Sequence, residues 1–238
     1  AVVSEIFLTN HILHPIQNAM DMFERIRQTQ DYSLRMPVES KDELGKMAEG
    51  INELMDYVEE KHEQEKNAQQ KLQMQADSDP LTGVMNKRAF EAYAREKAEY
   101  AAKHGEQIIF GFLDVDDFKK FNTEYGHQQG DEILCYVAQT LQSLFPGEVG
   151  RIGGDEFVFC YVGEISGEQI KADANTVIER LAEEYQSSTE DCHMAITGSL
   201  GVVTTKKSLD YIELVRCADL AMYRAKGQGK NIAVVLEV

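Results

Sequence analysis

Ile108-Ile109-Phe110-Gly111-Phe112-Leu113-Asp114-Val115-Asp116-Asp117 is a short apolar run that ends in carboxylates. Its length and apolar character predict a buried β-strand over Ile108–Val115. A carboxylate at the end of such a strand is desolvated and needs a partner. For Asp116 and Asp117 two readings stand, a cap on the helix that follows or a part in chemistry. Asp114 is still inside the strand, so it suits capping poorly and suits a hard divalent cation well.

Outward from this strand, helix and strand patterns alternate. Helices are predicted over Asn86–Lys103, Asp116–Tyr125, Asp131–Leu144, Glu168–Tyr185 and Leu209–Lys226. Further strands are predicted over Val149–Ile152, Glu156–Val162, His193–Thr204 and Asn231–Leu236. The first two of these strands form a hairpin across Gly153–Gly154, whose φ freedom suits a tight turn. That hairpin carries a second acidic cluster, Gly153-Gly154-Asp155-Glu156-Phe157. Alone this is an ordinary solvated turn, but the apolar Phe157-Val158-Phe159-Cys160 predicts a buried central strand. If that strand lies beside Ile108–Val115, both acid groups meet at one sheet edge. Two carboxylates on adjacent strands holding Mg²⁺ are the minimum equipment for phosphoryl or nucleotidyl transfer. Helices over a mainly antiparallel sheet give an α+β sandwich.

The 238 residues carry 41 acidic and 24 basic side chains, a formal net charge of −17. Such a charge repels phosphate backbones and argues against a general nucleic-acid or anionic-membrane binder. It leaves room for a nucleotide held through a cation. The first 80 residues hold 16 acids and 8 bases, so the acidity is not a detachable tail. Cys135, Cys160, Cys192 and Cys217 stand 25 to 32 residues apart without metal-type pairing, which suggests reduced thiols. No stretch reaches the ~18–20 apolar residues of a membrane span. The opening run from Ala1 to Leu8 reads either as the tail of an upstream apolar segment or as a frayed helix end.

The first region is poor in glycine, with only Gly45 and Gly50 before residue 81. Ile16, Ala19, Phe23 and Ile26 are spaced 3, 4, 3, and after a connector holding Pro37 the residues Leu44, Met47, Ile51, Leu54 and Val58 repeat that period. Seams of this kind bury by pairing with other helices, which predicts two short coiled-coil helices in a dimeric bundle. Beyond Val58 the seam runs through Lys61, Glu65, Ala68, Leu72 and Gln75 and becomes polar. It reads either as a joint that changes register or as a solvated linker helix. With His14-Pro15-Ile16 opening the first helix and Asp42-Glu43-Leu44-Gly45 the second, residues 8–60 resemble a HAMP domain, the parallel helical relay just inside the membrane in bacterial sensors.

The signature Gly153-Gly154-Asp155-Glu156-Phe157 resembles that of the GGDEF diguanylate cyclases, and the resemblance extends over residues 77–236. It includes Asp79-Pro80-Leu81-Thr82-Gly83 with Asn86, then Leu113-Asp114-Val115-Asp116, Phe118-Lys119, Asn122, Tyr125-Gly126-His127 and Gly130-Asp131-Glu132. Arg151 precedes the hairpin, and Gly198-Ser199-Leu200-Gly201, Ala218-Asp219, Met222 to Lys226 and Gly229-Lys230-Asn231 close the pattern. The resemblance implies a palm-like fold and conversion of two GTP into cyclic di-GMP and two pyrophosphates. By matched position Asp114, the Val115 carbonyl and Asp155 would hold two Mg²⁺, with Mn²⁺ as a substitute, and Asp155 and Glu156 would be the catalytic acids, Glu156 serving either as a further metal ligand or as the proton acceptor. Asn122 and Asp131 would bind the guanine edge, and Lys119, Lys226 and Lys230 the phosphates. For Lys119 a solvated helix lysine is the competing reading.

Each GTP must attack the other, so the resemblance implies a homodimer through the helical region, with an upstream membrane sensor in the parent protein. It divides the chain into a HAMP-like signalling domain over 1–60, a connecting helix over 61–78 and a catalytic domain over 79–238. The expected location is the cytoplasmic face of the inner membrane for the parent, and soluble cytoplasm for this segment. Two departures stand out. Leu144-Phe145-Pro146-Gly147 replaces the family's Arg-x-x-Asp, so the primary product-inhibition site is expected to be absent. Lys230 stands where Arg is common, which keeps the charge and loses the planar fork. Against an active cyclase stand a catalytically silent GTP-binding receptor and a relay whose output domain only dimerises.

Overall fold

A computed structural model describes residues 13–183 and 196–238, and the chain divides into a helical unit ending at Gln73 and a larger unit from Met74 to Val238. The start of the strand predicted from His193, the end of the helix predicted to Tyr185, Cys192 and the run from Ala1 to Leu8 lie outside the described residues.

In the helical unit, α1 (His14–Thr29) has Pro15 in its first turn, where the missing N–H costs nothing, and ends at Gln30 in left-handed backbone. The connector is pinned to α2 (Glu43–Asp77) through Asn52, which accepts from the Met36 N–H at 2.7 Å and donates to its carbonyl at 2.9 Å. Arg35 adds a fork onto Asp56 and Glu59. Asp42 accepts from the Leu44 and Gly45 N–H groups and so caps α2. Ala19, Met22, Met36, Ala48 and Met55 form the small core. The seam residues Ile16, Phe23, Met47 and Leu54 are exposed in the single chain. The polar stretch beyond Lys61 continues α2 without a break.

The larger unit holds a six-stranded sheet in the order β1-β3-β4-β2-β5-β6. Its strands are β1 (Met85–Asn86), β2 (Ile108–Val115), β3 (Val149–Arg151), β4 (Glu156–Val162), β5 (Gly198–Thr205) and β6 (Ala233–Glu237). β2 is antiparallel to both β4 and β5, β3 is antiparallel to β4, and the outer pairs β1–β3 and β5–β6 are parallel. Both faces of β2 are covered, which is why its sequence is apolar without alternation. Ile108, Phe110 and Phe112 join a cluster with Phe90 and Ala94 of α3 (Lys87–His104) and Leu214, Ala218 and Met222 of α7 (Tyr211–Gly227). Ile109, Leu113 and Val115 join Ile133 and Val137 of α5 (His127–Leu144) and Ile170 and Val177 of α6 (Gly167–Glu183). The short α4 (Phe118–Tyr125) buries Phe121 in the same cluster.

Three details differ from the sequence reading. α5 begins at His127 rather than Asp131, because Gly126 at φ 90° breaks the chain away from α4 and the helix then runs straight through Gly130. β1 is a two-residue strand with no pattern of its own to announce it. Neither Gly153 nor Gly154 lies in left-handed backbone, so φ freedom is not what the hairpin requires of them. Gly153 instead leaves space, since a Cβ there would stand 2.2 Å from Glu156 Oε2 and that carboxylate would have to move aside.

One close approach sets the position of a whole helix. A Cβ on Gly201 of β5 would lie 2.1 Å from the Ala218 carbonyl oxygen and 2.3 Å from the Met222 nitrogen, both backbone atoms of α7. Only glycine lets α7 lie this close to the sheet. Gly201→Ala is therefore expected to lower stability by about 1–3 kcal/mol through overpacking. Gly227→Ala, where nothing lies within 4 Å, should be neutral. Urea denaturation of the two variants checks both expectations.

Candidate active site

The register of β2 assembles the acidic end of the sheet. Asp114 pairs directly with Glu156 of β4 on one side and Ser199 of β5 on the other. Directly opposed residues of an antiparallel pair share a face, with Cβ atoms roughly 4.5–5.5 Å apart. The Val115 N–H donates to the Asp155 carbonyl at 3.2 Å, tying the tip of the hairpin to the end of β2. The two strands are thus neighbours, and their acid groups share one sheet end as the sequence reading expected.

The charges at this end are crowded. Burial pushes the Asp114 carboxyl above its ordinary value, and the charges of Asp155 and Asp116 add to the shift. The Lys226 ammonium, 2.7 Å from Asp114 Oδ1, works against it. Burial also raises Glu156, and Asp114, Asp155 and Asp219 raise it further. Lys226 occupies the last turn of α7, the helix that Gly201 admits to the sheet.

Among the described residues no three His, Cys, Asp or Glu side chains are drawn together as a metal cage. The donor set nonetheless fits Mg²⁺ by its chemistry. Its carboxylate oxygens are hard ligands, and burial together with the neighbouring negative charges raises the proton affinity of Asp114 and Glu156, which a cation relieves.

Two further groups lie near the start of α4 and α5. Asn122 Oδ1 is buried without a hydrogen-bond partner, a costly state for an acceptor. It sits over Gly130, where a Cβ would stand 1.8 Å from it. Asp131 follows on α5 and is exposed. Lys119 is exposed on α4, and among the described residues no ion pair joins it to the acidic end. Lys230, in left-handed backbone, donates to both Asp117 carboxylate oxygens at 2.8 Å.

The capping reading of the two aspartates fails. Asp117 stands at the start of α4, but its side chain makes no cap bond and pairs with Lys230 instead. Asp116 accepts from the Ser199 hydroxyl and from the Asn231 N–H. Arg151 connects the hairpin to the loop that follows α2. Its Nη1 lies 3.0 Å from Asp79 Oδ1, while Nε and Nη2 donate to the Gly154 carbonyl at 3.1 and 2.6 Å. Burial pushes Asp79 up, but the Thr82 hydroxyl and N–H together with Arg151 hold it below the usual range. Ser199, Gly130 and Gly201 all stand within the motif blocks of the sequence, yet their spacing alone gave none of them a structural task, and for Asp116 it suggested a cap in place of the bonds to Ser199 and Asn231. At the loop 144–147, Phe145 is buried and stacks on Phe159 with ring centroids 4.1 Å apart.

Comparison with known proteins agrees with this architecture. The family model described as "Diguanylate cyclase, GGDEF domain" matches residues 76–232, and the HAMP domain model matches residues 7–60. The diguanylate cyclase TpbB of Pseudomonas aeruginosa is 27% identical over 227 residues, covering 94% of this chain and 52% of that protein. The probable diguanylate cyclase DgcC of Escherichia coli is 32% identical over 164 residues, covering 68% of this chain and 43% of that protein. The chain thus spans about half the length of the curated relatives it matches. Among solved structures, the coiled coil and GGDEF domain of DgcB from Caulobacter crescentus, in complex with c-di-GMP, superposes with a TM-score of 0.69 at 26% identity, covering 77% of this chain and 97% of that one. SiaD from Pseudomonas aeruginosa, in complex with its activator SiaC, gives 0.64 at 25% identity, covering 94% and 84%.

The crowding of carboxylates has a consequence for stability. Glu156 binds its proton more tightly in the folded chain than in the unfolded one, so it lowers stability as pH rises through that window. In the metal-free protein Glu156→Gln is expected to unfold at higher temperature than the parent at neutral pH. The advantage should vanish as pH falls below the unfolded carboxylate value of about 4.3. Calorimetric melts with a chelator across that range check the sign.

Proposed function

The chain belongs to the GGDEF family and carries a HAMP domain ahead of that domain, and from this premise we propose that it is a diguanylate cyclase that condenses two GTP into cyclic di-GMP and two pyrophosphates. The observation that carries the proposal is the pairing of Asp114 with Glu156 beside Asp155, an acidic sheet end where the Lys226 ammonium pairs with Asp114. A negative edge of this kind attracts a triphosphate only through cations, and the family resemblance assigns two Mg²⁺ to Asp114, the Val115 carbonyl and Asp155. Bound there, the metal lowers the pKa of the attacking ribose hydroxyl and offsets charge on the phosphates. Glu156, held above the usual carboxylate range, is suited to take the proton of that hydroxyl. Lys226 and Lys230 then exchange their aspartate partners for phosphate oxygens, with Lys119 reaching them from α4.

Guanine recognition falls to Asn122 and Asp131. The unpartnered Asn122 Oδ1 accepts from a base N–H and so loses the cost of its burial, and Asp131 accepts from the neighbouring N–H groups. Each chain supplies one half-site, so turnover needs two chains face to face. The exposed Ile16, Phe23, Met47 and Leu54 form the seam on which HAMP helices of two copies pair, and their pairing sets how often the halves meet. Leu144 and Gly147 stand at the Arg and Asp positions of Arg-x-x-Asp, with Phe145 between them stacked on Phe159 of the sheet, and this supports the expectation that the primary product-inhibition site is absent. A HAMP domain also suits a parent protein anchored in the inner membrane with its catalytic part in the cytoplasm. Among the described residues no helix is long and apolar enough to cross a membrane.

Incubation with GTP and Mg²⁺ followed by chromatography should yield cyclic di-GMP and pyrophosphate in a ratio of one to two, at a rate per chain that rises with protein concentration. No cyclic di-GMP at high protein concentration defeats the proposal and leaves a silent GTP-binding module. Asp155→Ala should lower turnover at least about a hundredfold, roughly 3 kcal/mol of transition-state stabilisation, with the melting curve preserved. Gly130→Ala displaces Asn122 and should raise the KM for GTP about tenfold, the loss of roughly one hydrogen bond. An unchanged KM would separate Asn122 from the base.

A further inference from the structure

We propose that Asp116 is a positioning residue, whose buried carboxylate clasps the turn Gly229-Lys230-Asn231 to the sheet and thereby fixes where Lys230 presents its ammonium to the triphosphate. The proposal rests on the phosphate role given to Lys230 above. Asp116 is only 8% exposed, and both its oxygens are engaged. Oδ1 accepts from the Ser199 hydroxyl of β5 at 2.7 Å, and Oδ2 accepts from the Asn231 N–H at 3.0 Å. Its own N–H donates at 2.8 Å to the carbonyl of Thr197, the residue just before β5, so Asp116 is anchored at the start of that strand through backbone and side chain alike. Among the described residues no ion pair involves Asp116. Its work is therefore geometric, and the two aspartates that flank it carry the ion pairs, Asp114 with Lys226 and Asp117 with Lys230.

The backbone gives an independent reason for a clasp. Asp117, Lys230 and Asn231 have φ of 55°, 64° and 50°, left-handed values that are uncommon outside glycine, tolerated best by Asp and Asn and least here by Lys230. Such residues persist where the surroundings over-determine them. Here two of them are consecutive, in the turn that carries Lys230, and the third is the residue that receives the Lys230 ammonium. The Asn231 N–H in this conformation points at Asp116, and the next residue's carbonyl accepts from the Leu200 N–H at 3.1 Å. The Lys230 N–H also donates to the Ala225 carbonyl at 3.2 Å, which ties the turn to the end of α7, so without Asp116 it is the Asn231 end that comes away from the sheet and the place of Lys230 that loses definition.

The test is a double-mutant cycle read by the affinity for a non-hydrolysable GTP analogue with Mg²⁺ and by the separate values of KM and kcat. Asp116→Ala should weaken analogue binding about tenfold and raise KM correspondingly. Asp116→Asn should restore most of the loss, because its carbonyl can accept from the Asn231 N–H while its amide donates to the Ser199 hydroxyl. In a Lys230→Ala background Asp116→Ala should add less than about twofold, since no ammonium remains to misplace. Equal losses in both backgrounds, or parental affinity for Asp116→Ala, overturn the positioning role alone. Parental affinity for Lys230→Ala overturns the phosphate role of Lys230 and the positioning role with it. Where Asp116→Ala does not fold, Ser199→Ala removes one of the two bonds and runs through the same cycle with a smaller expected loss of about threefold.

Discussion

The hydrogen bond from the Val115 N–H to the Asp155 carbonyl, with the register that sets Asp114 opposite Glu156, is the constraint on which the rest of the larger unit depends. Side chains alternate along a strand, so a slip of one residue would carry Asp114 to the opposite face and Leu113 into its place. The apolar residues of β2 forbid that slip, because each face buries its own set against its own pair of helices. The acidic cluster is thus held by hydrophobic packing several residues away from it. No attraction among the carboxylates is needed, and they repel one another.

The cations of the site are delivered by separate means. Lys226 arrives on a long helix whose distance from the sheet is set by the bare backbone of Gly201. Lys230 arrives on a turn in unfavourable backbone, held by a buried aspartate. Both ammonium groups are paired with aspartates in the protein as described. On the proposed reading, Lys226 and Lys230 would give up their aspartate partners for phosphate oxygens, and Asp114, freed of Lys226, would be among the residues that hold the metal. Exposed pairs such as Asp117–Lys230 contribute little to stability, so that exchange is cheap there.

Local pattern carried much of this architecture. Ile108–Val115 and Glu156–Val162 are strands over the predicted residues, because an apolar run of seven or eight residues with both faces buried has few other solutions. The helix from Asn86 and the helix ending near Lys226 followed from their helical pattern, while the cap that Asn86 makes on α3 is a finding of the structure. What stayed illegible depends on contacts across the fold. Gly153 looks like a turn residue but makes room for Glu156, and Gly130 looks like a helix breaker but makes room for Asn122. Asp116 and Asp117 look like caps because their true partners, Ser199, Asn231 and Lys230, lie more than eighty residues away in sequence. The carboxylates at the sheet end were visible as chemistry-bearing residues, whereas the lysine that balances Asp114 came from family resemblance, as a phosphate contact.

The most direct measurement of the central claim is a crystal structure of the protein grown with Mg²⁺ and a non-hydrolysable GTP analogue. The account predicts metal bonded to carboxylate oxygens of Asp114 and Asp155, with Lys226 released from Asp114 and turned to the phosphates. An analogue bound with the Asp114–Lys226 pair intact, or with metal held by other residues, would contradict it.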